Sequence, residues 1–207
     1  MSGELGRLVI IGASGHGMVV ADIACLVGYD DIRFLDDDSA KKSCCGYPVV
    51  GPVSDAAFIE SNLFVAIGNA AVRRELMERY RHATFPSLVH PSAVVARTSR
   101  LGAGTVVMAG AIINPGAIVG RGCIVNTCAS VDHGCMVADF AHVAVGAHLC
   151  GEVTVGAGVW IGAGSTVSNN VDICAGTTVG AGAVVVRDIT EAGTYVGVPV
   201  RRVPDDR

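Results

Sequence analysis

The sequence holds little that is bulky or charged. Aromatic residues make up 5% of its 207 residues, with one tryptophan, and charged residues only 16%. Such a chain cannot fill a broad globular core with large side chains; it suits stacked strands packed through small and branched ones. Basic character is missing too. The net charge is −4 and no cluster of Lys and Arg stands out, which excludes nucleic acid as a partner. Apolar stretches are broken by Gly or Asp every few residues, so no membrane span is expected. The opening MSGELGRLVIIG lacks the apolar segment and cleavage site of a signal peptide. The eight cysteines, at 25, 44, 45, 123, 128, 135, 150 and 174, include no CxxC and no zinc-finger spacing. With no leader, this predicts reduced thiols in a cytoplasm.

What the chain does have is a period of six. Every sixth residue from Val95 to Val185 is aliphatic, sixteen positions in succession. Every sixth residue from Ser99 to Ala183 is small or β-branched. Neither a helix nor a hairpin sheet keeps that phase for ninety residues, whereas a three-sided β-helix does. Each side places one branched residue inward and a small one near the corner, so sixteen hexads make about five coils of eighteen residues. Cys123 and Cys135 fall in the small slot, and Cys150 and Cys174 follow an aliphatic position, so all four read as packing.

The first ninety residues alternate differently. LVIIG (8–12) reads as a buried strand, MVVADIACLV as helix, and DIRFLDDD (31–38) as a strand ending in acids. AAFIESN reads as a short helix, LFVAIGN (63–69) as a third strand, and AAVRRELMERYR as a helix. This pattern predicts a small Rossmann-like α/β domain with a parallel sheet over 1–90, and a β-helix with a C-terminal tail over 91–207.

GASGHG lies between a strand and a helix, where a glycine turn exposes backbone N–H groups at the positive helix end, a setting for phosphate. Gly12, Ser14, Gly15, His16 and Gly17 are the candidates there. The spacing is GxxGxG rather than GxGxxG, and the domain has no room for two mononucleotide halves, which excludes NAD. Asp36 and Asp37 follow at the carboxyl end of the next strand, where open α/β sheets bind ligands. A carboxylate there can accept a base N–H. Uracil and guanine both offer one, so the base stays open. Gly68 and Asn69 complete the expected pocket.

The hexads resemble those of the left-handed parallel β-helix acyltransferases. Over the whole chain, IIGASGHG, FLDD, AIGN, FPSLVHPSA and GVPVRR resemble the bacterial acetyltransferases that modify UDP-4-amino sugars, as in bacillosamine synthesis. Their relatives include GDP-perosamine N-acetyltransferases and sialic acid O-acetyltransferases. The resemblance implies the left hand, a homotrimer, a nucleotide-sugar domain, and acetyl-CoA bound between neighbouring prisms.

Three of the six histidines fall in the prism, at 133, 142 and 148, and none occupies an inward slot. This predicts that they sit at the surface or at subunit seams. Six extended residues span about 20 Å, so His142 and His148 of one chain cannot share a metal with bonds of about 2 Å. No metal is expected. Acetyl transfer needs a base near neutrality, which histidine supplies. The resemblance assigns the base to His133 and a cofactor contact to His142. Gly151 and Trp160 stand one coil beyond these two; a glycine over the base leaves room for a thioester, and its N–H can face an oxyanion. The resemblance sets Gly180 and the terminal tail along the cofactor, where Arg187 and Arg201 can meet phosphates. One departure stands out. The family carries Asp or Glu directly after the base, and here that position is Gly134. Asp132 precedes the base and is expected to point away from it. The expected activity is N-acetylation of a nucleotide-activated amino sugar, most simply a UDP-4-amino sugar. O-acetylation of a sialic-acid-type sugar, or a non-catalytic nucleotide-sugar-binding trimer, are the alternatives.

Overall fold

The structure, a computed structural model, describes residues 5–204. The first four residues, which fall in the expected first domain, and the last three of the tail lie outside the described residues. Contacts divide the chain into two compact units that meet at Pro91 and Ser92.

The first unit runs β1 (Arg7–Ile11), α1 (Gly15–Val27), β2 (Asp31–Leu35), β3 (Ser43–Cys44), β4 (Tyr47–Gly51), β5 (Asn62–Val65) and α2 (Ala70–Arg79). The uninterrupted apolar run of β1 is explained by its place: Leu8, Val9, Ile10 and Ile11 are all buried at the centre of the sheet. The strand order is β3-β4-β2-β1-β5, and β1 pairs in parallel with both β2 and β5. The chain leaves β1 toward β2 on one side and returns to β5 on the other. The carboxyl ends of β1 and β5 therefore form a topological switch point. In α1, Gly17, Val20, Ala21 and Ala24 are buried, the spacing of one helix face.

Three expectations change here. The sheet is mixed rather than parallel, because β3 and β4 form an antiparallel hairpin. Its turn is Cys45–Gly46, both with positive φ, of 44° and 88°; a cysteine at the first of these positions is not the Asn-Gly or Asp-Gly signature that marks such a turn in sequence. The helix expected over AAFIESN is a 3-10 turn over Val53–Phe58. The third strand stops at Val65, because Asn69 turns the chain into α2 by accepting N–H bonds from Ala71 and Val72.

The second unit is a three-sided parallel solenoid of two-residue strands. Partners stand eighteen residues apart, as in Ile112↔Ser130, Ser130↔His148 and His148↔Thr166. The aliphatic hexad position is buried from Val107 through Val185, and the small slot from Thr105 through Ala183. The two branched residues at the open end, Val95 and Leu101, are half-buried. The corners carry a period of their own: every sixth residue from Gly104 to Gly182 has a φ between 56° and 77°. That conformation costs a residue with a side chain about 1–2 kcal/mol. Only Cys128, Phe140, Glu152 and Asn170 carry one at these corners; the rest are glycine.

Candidate functional site

At the switch point, the loop after β1 is built by close approach. A side chain on Gly17 would strike the Gly12 carbonyl, and one on Gly12 would press on the Ala66 carbonyl, 2.9 Å away. Ala13 N–H donates to Asp36 Oδ2 at 2.8 Å, and Lys41 Nζ donates to the same oxygen at 2.9 Å. Burial alone would raise the Asp36 pKa. Bonds from the Asp38 N–H, Lys41 and the Ala13 N–H outweigh it and hold the carboxyl below its ordinary value. Asp37 is tied to the Val53 N–H at 2.8 Å. A cavity beside these acids is lined by Asp36, Asp37, Lys41, Lys42, Val50 and Gly51, among others.

Ser14 precedes α1 without capping it through its side chain, and Gly15, like Gly68, has open space where a side chain would stand. His16 lies in the first turn. Its Nε2 is buried without a hydrogen-bond partner, and its pKa is lowered to about 4, first by burial and then by the positive charge of Arg73. His16 is therefore neutral near pH 7. Arg73, 1% exposed, donates from Nη1 to the Ile67 and Gly68 carbonyls at 2.7 and 2.9 Å. It fixes the loop that carries Gly68 and Asn69. Asn69 spends its side-chain oxygen on capping α2.

In the solenoid, His133 is exposed at a corner between two faces. Asp132 Oδ1 accepts both its backbone N–H and Asn114 Nδ2, each at 2.7 Å. Asp132 thus holds the main chain of His133 and not its ring, and these two bonds keep the Asp132 carboxyl below its ordinary pKa. The ring lies over Gly151: a side chain there would come within 2.5 Å of Cε1 and Nε2. The room expected over Gly151 is thus taken by the imidazole. The other flank of the ring faces Glu152, whose Oε1 is 3.7 Å from Nδ1.

His142 departs from its expected surface position. It is 7% exposed, with Asn126 Nδ2 3.1 Å from its Nε2 and the Trp160 ring 4.4 Å away between centroids. Trp160 itself stays 41% exposed. His148 is exposed on another face, its Nδ1 2.9 Å from Ser130 Oγ. Gly180 backs onto the tail, where a side chain would meet Val196. Arg187 and Arg201 share a cavity with Tyr195, Pro199 and Val200.

The structure therefore pairs His133 with Gly151, His142 with Trp160, and Arg187 with Arg201. Three participants were missed: Arg73, Lys41 and Glu152. Glu152 was within reach of the eighteen-residue step, which stacks it on Gly134; the other two carried no local signal. Among the described residues, no three His, Cys, Asp or Glu side chains gather as a metal site, and no helix is long and apolar enough to cross a membrane.

Comparison with known proteins places these features in context. Residues 7–80 match the sequence family described as the PglD N-terminal domain. UDP-N-acetylbacillosamine N-acetyltransferase of Bacillus subtilis is 34% identical over 111 residues, a match that spans about half of each chain, 50% of this one and 51% of that protein. The acetyltransferase domain of PglB from Neisseria gonorrhoeae, solved with acetyl coenzyme A, is 38% identical with a TM-score of 0.93, covering 95% of this chain and 98% of that one. A mutant of GDP-perosamine N-acetyltransferase from Caulobacter crescentus, solved with CoA and GDP-perosamine, is 37% identical with a TM-score of 0.93, covering 97% and 98%. The solenoid is the left-handed β-helix of these acetyltransferases, its coils as the hexads predict and its hand as the resemblance implies.

Proposed function

The chain belongs to the bacterial hexapeptide-repeat N-acetyltransferases of nucleotide-activated amino sugars, and on that footing we propose that it transfers acetyl from acetyl-CoA directly to such a sugar, with a UDP-4-amino sugar as the acceptor. The observation that carries the mechanism is the seating of His133: exposed, its main chain pinned by Asp132, its ring set over Gly151. Acetyl-CoA supplies an activated acyl carbonyl. As the amine nitrogen bonds to that carbon and the carbon–sulfur bond breaks, His133 takes the amine proton. That proton is then available to the departing thiolate. The Gly151 residue lies against the ring, and its backbone N–H is the group offered to the developing oxyanion.

The residues offered to acetyl-CoA are His142, Gly151, Trp160, Gly180, Arg187 and Arg201. An exposed indole face backed by a buried imidazole suits a flat or apolar moiety, and two guanidinium groups around one cavity suit phosphate. The first unit offers the nucleotide Gly12, Ser14, Gly15, His16, Gly17, Asp36, Asp37, Gly68 and Asn69. The N–H groups at the start of α1 suit the diphosphate, and the Asp36–Asp37 cavity suits the base. Bound Lys41 partly neutralises Asp36, which leaves Asp37 the freer acceptor.

We place the working unit as a homotrimer. Two rows of outward apolar residues flank the His133 corner: Val94 and Ile112 on one face, Ile118 and Met136 on the next, each at least 40% exposed. A neighbouring protomer seated there buries them and walls the base from water. The enzyme works in the cytoplasm, where acetyl-CoA and nucleotide sugars are made.

A thermal-shift panel of UDP-, GDP- and CMP-sugars, each with and without acetyl-CoA, followed by product mass spectrometry on amino and hydroxy sugars, tests this reading. The UDP-amino sugar is expected to stabilise most and to gain one acetyl group on nitrogen. Stabilisation by GDP-sugars alone replaces the acceptor, and acetylation only of hydroxy sugars replaces the reaction.

A further inference from the structure

We propose that Glu152 is a positioning residue for His133, supplying from the next coil the carboxylate that is missing after the base. This rests on His133 being the base. The two positions exchange roles through the eighteen-residue repeat: Gly134 and Glu152 are the same corner on successive coils, with φ of 67° and 60°. Glu152 N–H donates to the His133 carbonyl at 2.9 Å, which ties the corner below to the base. The Glu152 side chain then folds back over Gly134. A Cβ on Gly134 would lie 2.5 Å from Glu152 Cδ and nearer still to one carboxylate oxygen. The carboxylate thus fills the volume that an acid at 134 would use, and it can do so only because 134 is glycine.

The direction of the carboxylate matters as much as its place. Oε1 approaches Nδ1 of His133 at 3.7 Å, an ion-pair distance. A carboxylate on that side favours the tautomer with hydrogen on Nδ1 and leaves the Nε2 lone pair for the amine proton. Once Nε2 is protonated, the same carboxylate faces an imidazolium. Among the described residues Asp132, the neighbouring acid, is committed to Asn114 and to the His133 main chain. Glu152 also holds a side chain where most corners of this solenoid have glycine. The contact that this side chain makes with the His133 ring offsets part of that backbone cost.

Steady-state kinetics of the full chain test the assignment. Glu152→Gln keeps the shape and removes the charge; kcat is expected to fall about 10- to 100-fold with KM for the nucleotide sugar unchanged. In a His133→Ala background, Glu152→Gln is expected to cause no further loss, since the two act as a unit. The exchange variant, Gly134→Asp with Glu152→Gly, is expected to recover most of the lost kcat, and it stands as the test should Glu152→Gln not fold. Full kcat in Glu152→Gln beside a large loss in His133→Ala overturns the role of Glu152 and leaves the base in place. An equal further loss in the His133→Ala background, or an exchange variant no better than Glu152→Gly alone, also overturns it. Unchanged turnover in His133→Ala removes the base assignment, and the proposal with it.

Discussion

His133 and Gly151 stand one coil apart, and the imidazole of the first fills the space that a side chain on the second would occupy. The stacking gives the ring a floor of backbone. Any side chain added at Gly151 would meet Cε1 and Nε2 of that ring at about 2.5 Å. This juxtaposition makes the site sensitive to a single methyl group.

Gly151→Ala is expected to lower kcat about 10- to 100-fold, because the new carbon displaces the ring rather than the backbone. The φ of Gly151 lies outside the left-handed region, so the fold tolerates alanine. Parallel kinetics and thermal melts check this; lost turnover with a melting point within a few degrees of the parent is the expected pair.

His133→Ala is expected to lower turnover about 10²- to 10⁴-fold and to spare nucleotide binding, since the glycine turn and the Asp36–Asp37 cavity proposed for the nucleotide belong to the other unit. Isothermal titration with the nucleotide sugar beside turnover assays checks both halves.

His16 sets a pH dependence of stability. Its folded pKa is about 4 against an ordinary 6.5, so between those values the unfolded chain binds more protons. Stability is full above pH 6.5 and falls as pH drops toward 4, by about 2 kcal/mol at pH 5 from this group. Denaturant titrations at pH 7 and pH 5 measure the difference. It is expected to shrink by that amount in His16→Asn.

Arg73→Met leaves the Ile67 and Gly68 carbonyls without their guanidinium partner. A loss of about 2–4 kcal/mol is expected by chemical denaturation, from two half-buried acceptors that lose a charged donor. Removing that positive charge also takes away one of the two causes that lower the pKa of His16. The pH midpoint of His16, followed by NMR of its ring protons, is expected to rise.

The sixfold phase, by itself, determined the solenoid. When the aliphatic residue recurs every six positions over sixteen hexads, only a prism whose coils stack every eighteen residues buries all of them on one axis. The same arithmetic stacks Gly151 next to His133 and Trp160 next to His142 before any coordinates exist. Likewise the buried run LVII and the glycines after it determined the centre of the first sheet and the turn beyond it. Tertiary structure alone decided the rest. The hairpin of β3 and β4 turns on a cysteine in a left-handed conformation, which its neighbours in sequence do not announce. His142 is outward by phase yet buried, because Asn126 and Trp160 from adjacent coils close over it. Burial of Arg73 depends on two carbonyls that a loop presents to it. The acid beside His133 also escapes a linear reading: periodicity sets where a Cα stands, but the direction in which the Glu152 side chain folds is decided by the space that glycine leaves at 134.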